Sequence, residues 1–402
     1  MATTFSVVER SGNRPSDTLP IALFCACFVG FAYSSNYTNH APLAGALARQ
    51  FGFDQTLAGL LTTGIFITHA GMQVPGGHLI DRLGARRLLM LALPWVAIGN
   101  FGIALANAYW QLLAWKVFTG IGTGLCFVGG ARYTHEAAAG PRLNLAQGLF
   151  GGSVLLGSGF VILAVPRLYL WVGWRGTFVV SAMMATLAWI VWIFAAPETL
   201  KSVPPRSRLS EMLIAPQLWL LGVIQMATFG LSIVVGAWIV ALLVKTLGVP
   251  ATKAGLLGSL VLLVGIVARP LGGQLRRSVG MRPLLLASLL MNVVGCLMLA
   301  WTATTVPLAL VAVALIGAGC GFPYAALFSR AGALYPGRAG TAMGVLNMLG
   351  ILMILLGAPL VGHLADWSGN FRSSFVALGA FSLLACLAIP LISSDEPTVS
   401  KG

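Results

Sequence analysis

Two cations lie inside long apolar stretches of this chain, Arg269 within residues 253–275 and Lys116 within residues 110–132. A charged side chain at the centre of a membrane helix costs roughly 2.5 to 3.5 kcal/mol even on a lenient insertion scale, so each calls for a stabilising partner. The ten acids do not supply one by position. Glu9, Asp17, Asp54, Asp81, Glu136, Glu198, Glu211, Asp366, Asp395 and Glu396 all fall in loops, tails or helix ends. Embedded cations without embedded carboxylates favour an anionic solute and disfavour a cationic one, or a proton carried by a buried acid. The planar guanidinium of Arg269 suits two-point contact with an oxyanion.

Other polar residues in apolar stretches complete the candidate set. His69 and Gln73 are four apart and share a helical face with Phe66 and Gly76. Asn36, Tyr37, Trp238, Tyr324 and Asn347 are further solute contacts, each with an ordinary packing role as its alternative. His69 titrates between pH 5 and 8 when unperturbed and is a candidate proton carrier, against a plain hydrogen-bonded histidine. Lys116 is the second coupling candidate, against a lysine that snorkels outward. No nucleophile with its base, metal-ligand cluster or carboxylate dyad stands at usable spacing, so neither an enzyme, a cofactor nor a metal is expected.

The elements that must position these residues are set by composition. The chain is 58% hydrophobic and 8% charged over 402 residues, which no soluble core requires. At about 20 apolar residues per membrane-spanning helix, the apolar runs divide into twelve spans. They cover residues 18–40, 57–78, 88–107, 110–132, 143–166, 174–195, 217–243, 253–275, 283–302, 306–329, 340–364 and 372–393, numbered here spans 1 to 12. The runs are too long for barrel strands of about 10 residues. The fold class expected is an all-α membrane protein of twelve transmembrane helices.

The formal charge of +14 does not point to nucleic acid, because the basic residues follow loop position. With the N-terminus inside, Arg10, Arg14, Arg82, Arg86, Arg87, Arg132, Arg142, Lys201, Arg206, Arg208, Arg276, Arg277, Arg282, Arg330, Arg338 and Lys401 fall on one side. Arg49, Arg167, Arg175, Lys245, Lys253 and Arg372 fall on the other. This bias places both termini in the cytoplasm of a plasma membrane protein, in a prokaryote the inner membrane. The six cysteines all lie in apolar segments and read as small hydrophobes.

The chain also repeats itself. Residues 74–89, Val-Pro-Gly-Gly-His-Leu-Ile-Asp-Arg-Leu-Gly-Ala-Arg-Arg-Leu-Leu, recur about 196 positions later as Pro-Leu-Gly-Gly-Gln-Leu-Arg-Arg-Ser-Val-Gly-Met-Arg-Pro-Leu-Leu at 270–285. Residues 120–124 pair with 317–321, 146–148 with 342–344, and 174–178 with 371–375 at nearly the same offset. The division is an N-terminal six-helix bundle (1–195), a cytoplasmic linker (196–216) and a C-terminal six-helix bundle (217–402). At the repeat offset Gln73 is the counterpart of Arg269, and the two are expected to face each other across the pseudo-two-fold.

The loop Gly77-His78-Leu79-Ile80-Asp81-Arg82-Leu83-Gly84-Ala85-Arg86-Arg87 resembles the signature between helices 2 and 3 of the major facilitator superfamily, and the resemblance covers essentially the whole chain. It implies two pseudo-symmetric bundles rocking about a midplane site. It implies also a cytoplasmic gate in which Gly77, Asp81, Arg82, Gly84, Arg86 and Arg87 take part, with Asp81 tying helix 2 to its neighbours. Arg269 in Ala-Arg-Pro-Leu-Gly-Gly resembles the helix 8 arginine of nitrate/nitrite porters and of oxalate/formate and monocarboxylate carriers, although nitrate porters carry a second arginine where Gln73 stands. The partners implied are a small anion, protons or a counter-transported anion, and the lipid bilayer, in a monomer. The rival reading is proton-coupled efflux of drugs or metabolites. The glycine-proline signature of such antiporters is absent from residues 148–165.

Overall fold

A computed structural model describes residues 15–53, 55–138, 140–199, 209–302 and 305–393. Arg10, Arg14, Lys201, Arg206, Arg208, Lys401, Glu9, Asp54, Asp395 and Glu396, with much of the 196–216 connection, lie outside these residues.

Helices form where the apolar runs require them, and glycine and proline set their breaks. Span 1 is Pro15–Thr38. Span 2 comprises Gln55–Gly71 and Gln73–Leu83, with a bend of 41° between its two segments. Pro75 accounts for the bend: it has no N–H to return to the Gly71 carbonyl, and its ring crowds that turn. Span 3 is Ala85–Leu105 and span 4 is Tyr109–Ala137. Leu143–Ala195 covers 53 residues, in which two helices meet at a kink. Straight, that run would measure about 80 Å against a hydrocarbon core of about 30 Å. Gly173, at φ 67° and ψ 179°, breaks it into spans 5 and 6, residues 143–172 and 174–195. Only glycine adopts this backbone readily.

Span 7 joins Pro216–Gln225 to Leu231–Leu247 through a π-helical turn at Met226–Gly230. Span 8 is Ala251–Gly258 with Leu260–Val279. Span 9 is Met281–Leu297, continued by a second π turn at Met298–Thr302. Span 10 is Val306–Gly321 and Pro323–Leu334, span 11 is Ala339–Ser368, and span 12 is Arg372–Ala385. Among the described residues nine helices are long and apolar enough to cross a membrane as they stand. Taking the bent span 2 as one, dividing at Gly173 and adding the shorter apolar helix Arg372–Ala388 yields the twelve expected.

The packing is inverted relative to a soluble protein. Phe24, Leu91, Phe101, Trp171, Phe194 and Leu387 are exposed, while Asn36, Gln73, Asn100, Gln147 and Asn292 are fully buried. Such an exterior suits lipid and not water.

Glycines bring the two halves together along two seams. Gly148 and Gly152 of span 5 lie against the span 8 backbone at Arg269–Pro270 and Ile266, and Gly273 of span 8 lies against Asn144. In the mirror seam Gly77 of span 2 lies on Gly340 and Thr341, and Gly344 of span 11 lies on the Gln73 carbonyl. Gly77 and Gly273, like Gly148 and Gly344, are counterparts in the repeat. A Cβ at any of these positions would meet the backbone of the other half.

One end of the molecule, here called the Asp81 face, is fastened across the halves. The Asp81 carboxylate accepts hydrogen bonds from the Gly340 N–H (2.9 Å), the Thr341 N–H (3.0 Å) and the Thr341 hydroxyl (2.6 Å), capping the N-terminus of span 11. The second loop copy has Arg277 at the matching position. There its neighbour Arg276 donates to the Asn144 side chain at 2.7 Å. Arg338 and His78 also meet across the halves at 3.3 Å.

Candidate functional site

Arg269 lies where span 8 packs against spans 5, 7 and 10, and it is 2% exposed. Its Nη1 donates to the Gly151 carbonyl of the opposite half at 2.6 Å, while its Nε has no acceptor among the described residues. The guanidinium carbon stands 4.2 Å from the centre of the Tyr324 ring and 5.7 Å from that of Phe229. No carboxylate pairs with it among the described residues; the two ion pairs seen there are Arg86–Glu198 and Arg132–Glu136. Aromatic faces and one carbonyl are what stabilise this charge.

Arg269 lines a cavity with Tyr33, Tyr37, Phe66, His69, Phe127, Val154, Phe229, Tyr324, Asn347 and Ile351. The space between these side chains is about 10 Å³, on the order of one water molecule. His69 sits among the rings of Tyr33, Tyr37, Phe66 and Phe127, with centroids 5.8 to 6.4 Å away. Its Nδ1 is 3.0 Å from the Thr123 hydroxyl, which itself donates to the Gly120 carbonyl. With that proton committed, Nδ1 carries the ring hydrogen and Nε2 is the acceptor. The Tyr37 hydroxyl pairs with Ser158 at 3.1 Å, whereas those of Tyr33 and Tyr324 have no partner among the described residues.

Of the residues expected from the sequence, the structure thus brings together Arg269, His69, Tyr37, Tyr324 and Asn347. Three others stand elsewhere. Gln73 is the first residue after the bend in span 2, its Nε2 folded back onto the His69 carbonyl at 3.0 Å, and it does not line the cavity with Arg269. The repeat offset pairs the two positions in sequence, but the Gln73 amide N–H is spent on its own helix. Asn36 donates to Ala32 at 2.6 Å within its own helix and lies outside the lining. Trp238 donates to Ala358 at 2.9 Å and packs on Phe371 and Gly362, away from Arg269. Trp238 is nine residues beyond Phe229 on span 7, which at 3.6 residues per turn sets it on the opposite face of the helix. Tyr33, Phe127 and Phe229 were not anticipated, although Tyr33 precedes Tyr37 by one turn on the same stripe.

Lys116 does not snorkel. It is 1% exposed, and its Nζ donates to Asn39 Oδ1 at 2.7 Å and to the Asn36 carbonyl at 3.4 Å, with the Phe178 ring 5.5 Å away. Asn39 in turn donates to Asn100 at 2.8 Å. Lys116 stands seven residues, roughly 10 Å, along span 4 from Thr123, on the side away from the Asp81 face.

At that face Arg86 donates to the carbonyls of Ala196 (3.0 Å) and Ile193 (3.2 Å) and pairs with Glu198 at 2.8 Å. Gly84, at φ 84°, turns the chain between spans 2 and 3. Gly84, Arg86 and Glu198, with Asp81, Arg82, Arg87 and Glu136, line a cleft of about 340 Å³.

Twelve spans, a half-repeat, glycine seams and a capped helix between the halves define a major facilitator transporter. The chain belongs to the Major Facilitator Superfamily, which it matches over residues 26–357 and again over 226–402. It is similar to the probable nitrate/nitrite antiporter NarK1 of Thermus thermophilus, 24% identical over 380 residues, covering 85% of this chain and 84% of the relative. It is equally similar, at 24% over 375 residues, to the cyanate transport protein CynX of Escherichia coli strain K12, with 92% and 96% covered. Among solved structures, the transporter FucP in its outward conformation superposes with a TM-score of 0.76 at 16% identity, covering 94% of this chain and 99% of that one. That likeness is one of fold.

Proposed function

We propose that this chain is a secondary transporter that carries a small monovalent anion, in the range of nitrate, nitrite and cyanate to a short monocarboxylate, by alternating access. Arg269 is the anion-binding group. The observation that carries the reading is its situation: a buried guanidinium with no carboxylate partner among the described residues and a free Nε, in a cavity walled by aromatic rings. One cation balances one negative charge, and a dianion would keep an uncompensated charge out of water. The similarity to a probable nitrate/nitrite antiporter and to a cyanate transport protein supports the same class.

His69 and Lys116 are the coupling candidates. A neutral His69 turns only an acceptor toward a partner at Nε2, which repels an anion; a protonated ring turns a donor and a positive charge. Anion binding and proton uptake then favour each other. Asp81 and its glycines act as the gate on the side that the basic loops assign to the cytoplasm. Both termini are placed on that side of a bacterial inner membrane, with the halves dividing within residues 196–216 and the monomer as the working unit.

The test is uptake into proteoliposomes of nitrate, nitrite, cyanate, formate and lactate, beside a set of lipophilic cations. One anion class should enter, and Arg269→Gln should lower its rate at least tenfold. Unchanged anion uptake in Arg269→Gln, or transport of the cations alone, overturns the proposal.

A further inference from the structure

Three glutamines share one geometric relation to the cavity. Gln73, Gln147 and Gln225 each stand four residues, one helical turn or about 6 Å, toward the Asp81 face from His69, Gly151 and Phe229 respectively. They come from spans 2, 5 and 7, and each is at most 1% exposed. Among the described residues none has a partner for both amide atoms. Gln73 and Gln147 each use Nε2 on a backbone carbonyl, His69 at 3.0 Å and Ala131 at 2.8 Å, and their Oε1 atoms meet no protein donor there. Gln225 has no protein partner on either amide atom among the same residues.

A buried carboxamide oxygen without a donor destabilises the conformation that buries it. Packing alone does not ask for glutamine, since methionine or leucine fills a similar volume without an orphaned oxygen. The same level recurring on three spans indicates a group that is hydrated in another conformation. The trail continues toward the Asp81 face with two further buried atoms that lack a protein partner among the described residues, Ser329 Oγ on span 10 and His135 Nε2 on span 4, the latter against Gly332 of the other half. Phe127 and Phe328, from opposite halves, close the route with ring centroids 5.5 Å apart.

We propose that Gln73, Gln147 and Gln225 form a neutral hydration layer one turn beneath the Arg269 cavity, which fills with water when the Asp81 face opens and through which the anion leaves for that side. This rests on the anion-transport reading above. An anion leaving a guanidinium gives up charge-assisted hydrogen bonds and must regain a hydration shell. Carboxamides hold water through their oxygens and carry no charge that would trap the solute again.

The experiment has two arms. In a cysteine-free carrier, Gln147→Cys and Gln225→Cys are exposed to a membrane-impermeant thiol reagent bearing a sulfonate, with Asp81 intact and with Asp81→Asn to release the face. Labelling at least tenfold faster after release supports the layer, and no labelling in either background overturns it. In the second arm Gln73, Gln147 and Gln225 are all replaced by Leu. Net anion flux should fall roughly tenfold while anion-induced thermal stabilisation persists, which also reports that the variant is folded; flux at the parent rate overturns the proposal. If the parent carrier moves no anion, the transport reading fails, and labelling alone still decides whether the layer lies on a water path.

Discussion

Replacing Asp81 by Asn should release the Asp81 face. The carboxylate accepts from two backbone N–H groups and one hydroxyl at the start of span 11, at 2.6 to 3.0 Å. Asparagine keeps one acceptor oxygen, sets an NH₂ donor against the remaining donors, and removes the charge from the helix terminus. The charge–dipole and capping contributions at a partly buried helix start amount to about 2 kcal/mol. At tenfold per 1.4 kcal/mol this shifts the equilibrium between closed and open face roughly thirtyfold. Spin labels at Leu83 and Pro336, both exposed on this face, report the opening as a longer distance in pulsed electron paramagnetic resonance. The parent should show one short distance, and Asp81→Asn a second, longer population of comparable weight or greater. Thr341→Ala, which removes only the hydroxyl donor, should shift the balance less, and the double variant should fall short of the sum because the two groups share a bond. An Asp81→Asn distribution identical to the parent's would refute the latch.

Two further outcomes follow from the same geometry. Gly148→Ala places a methyl group against the Arg269–Pro270 backbone, so it should disfavour the closed Asp81 face by about 1 to 3 kcal/mol and raise the longer-distance population in the same measurement. If His69 carries the coupling proton, anion uptake should rise as pH falls and His69→Gln should abolish that dependence. Lys116→Gln, which keeps a donor to Asn39, should leave the pH profile in place, and the reverse pattern would assign coupling to Lys116.

The spans and the half-repeat were legible because membrane thickness fixes helix length and because glycines needed for backbone contact must recur in both halves. The Asp81 cap was legible through its loop, down to the acid that makes the contact, though not the donors it meets, the Gly340 and Thr341 N–H groups. Within the cavity, Arg269 and His69 stood out as polar groups in apolar runs, and Tyr37, Tyr324 and Asn347 followed. Gln73, Asn36 and Trp238 stand outside the lining, each with its side-chain N–H on a backbone carbonyl, of His69, Ala32 and Ala358 respectively, while Phe229, in the π turn of span 7, lines the cavity. Neither those partners nor the π turn can be read from an even period of 3.6 residues. Phe127 and Phe229 carry no polar mark that separates them from ordinary core side chains.

The most direct test of an anion site at Arg269 is thermal stabilisation of the purified carrier by nitrate, nitrite, cyanate, formate, lactate and oxalate, with Arg269→Gln measured beside it. Charge-assisted hydrogen bonds contribute about 1.5 to 3 kcal/mol, so loss of the guanidinium should weaken binding roughly ten- to hundredfold. One class of monovalent anion should raise the melting temperature of the parent and leave Arg269→Gln unmoved. Stabilisation of both proteins alike by an anion, or of neither while Arg269→Gln melts lower than the parent, would make Arg269 a structural residue and contradict the site proposed here.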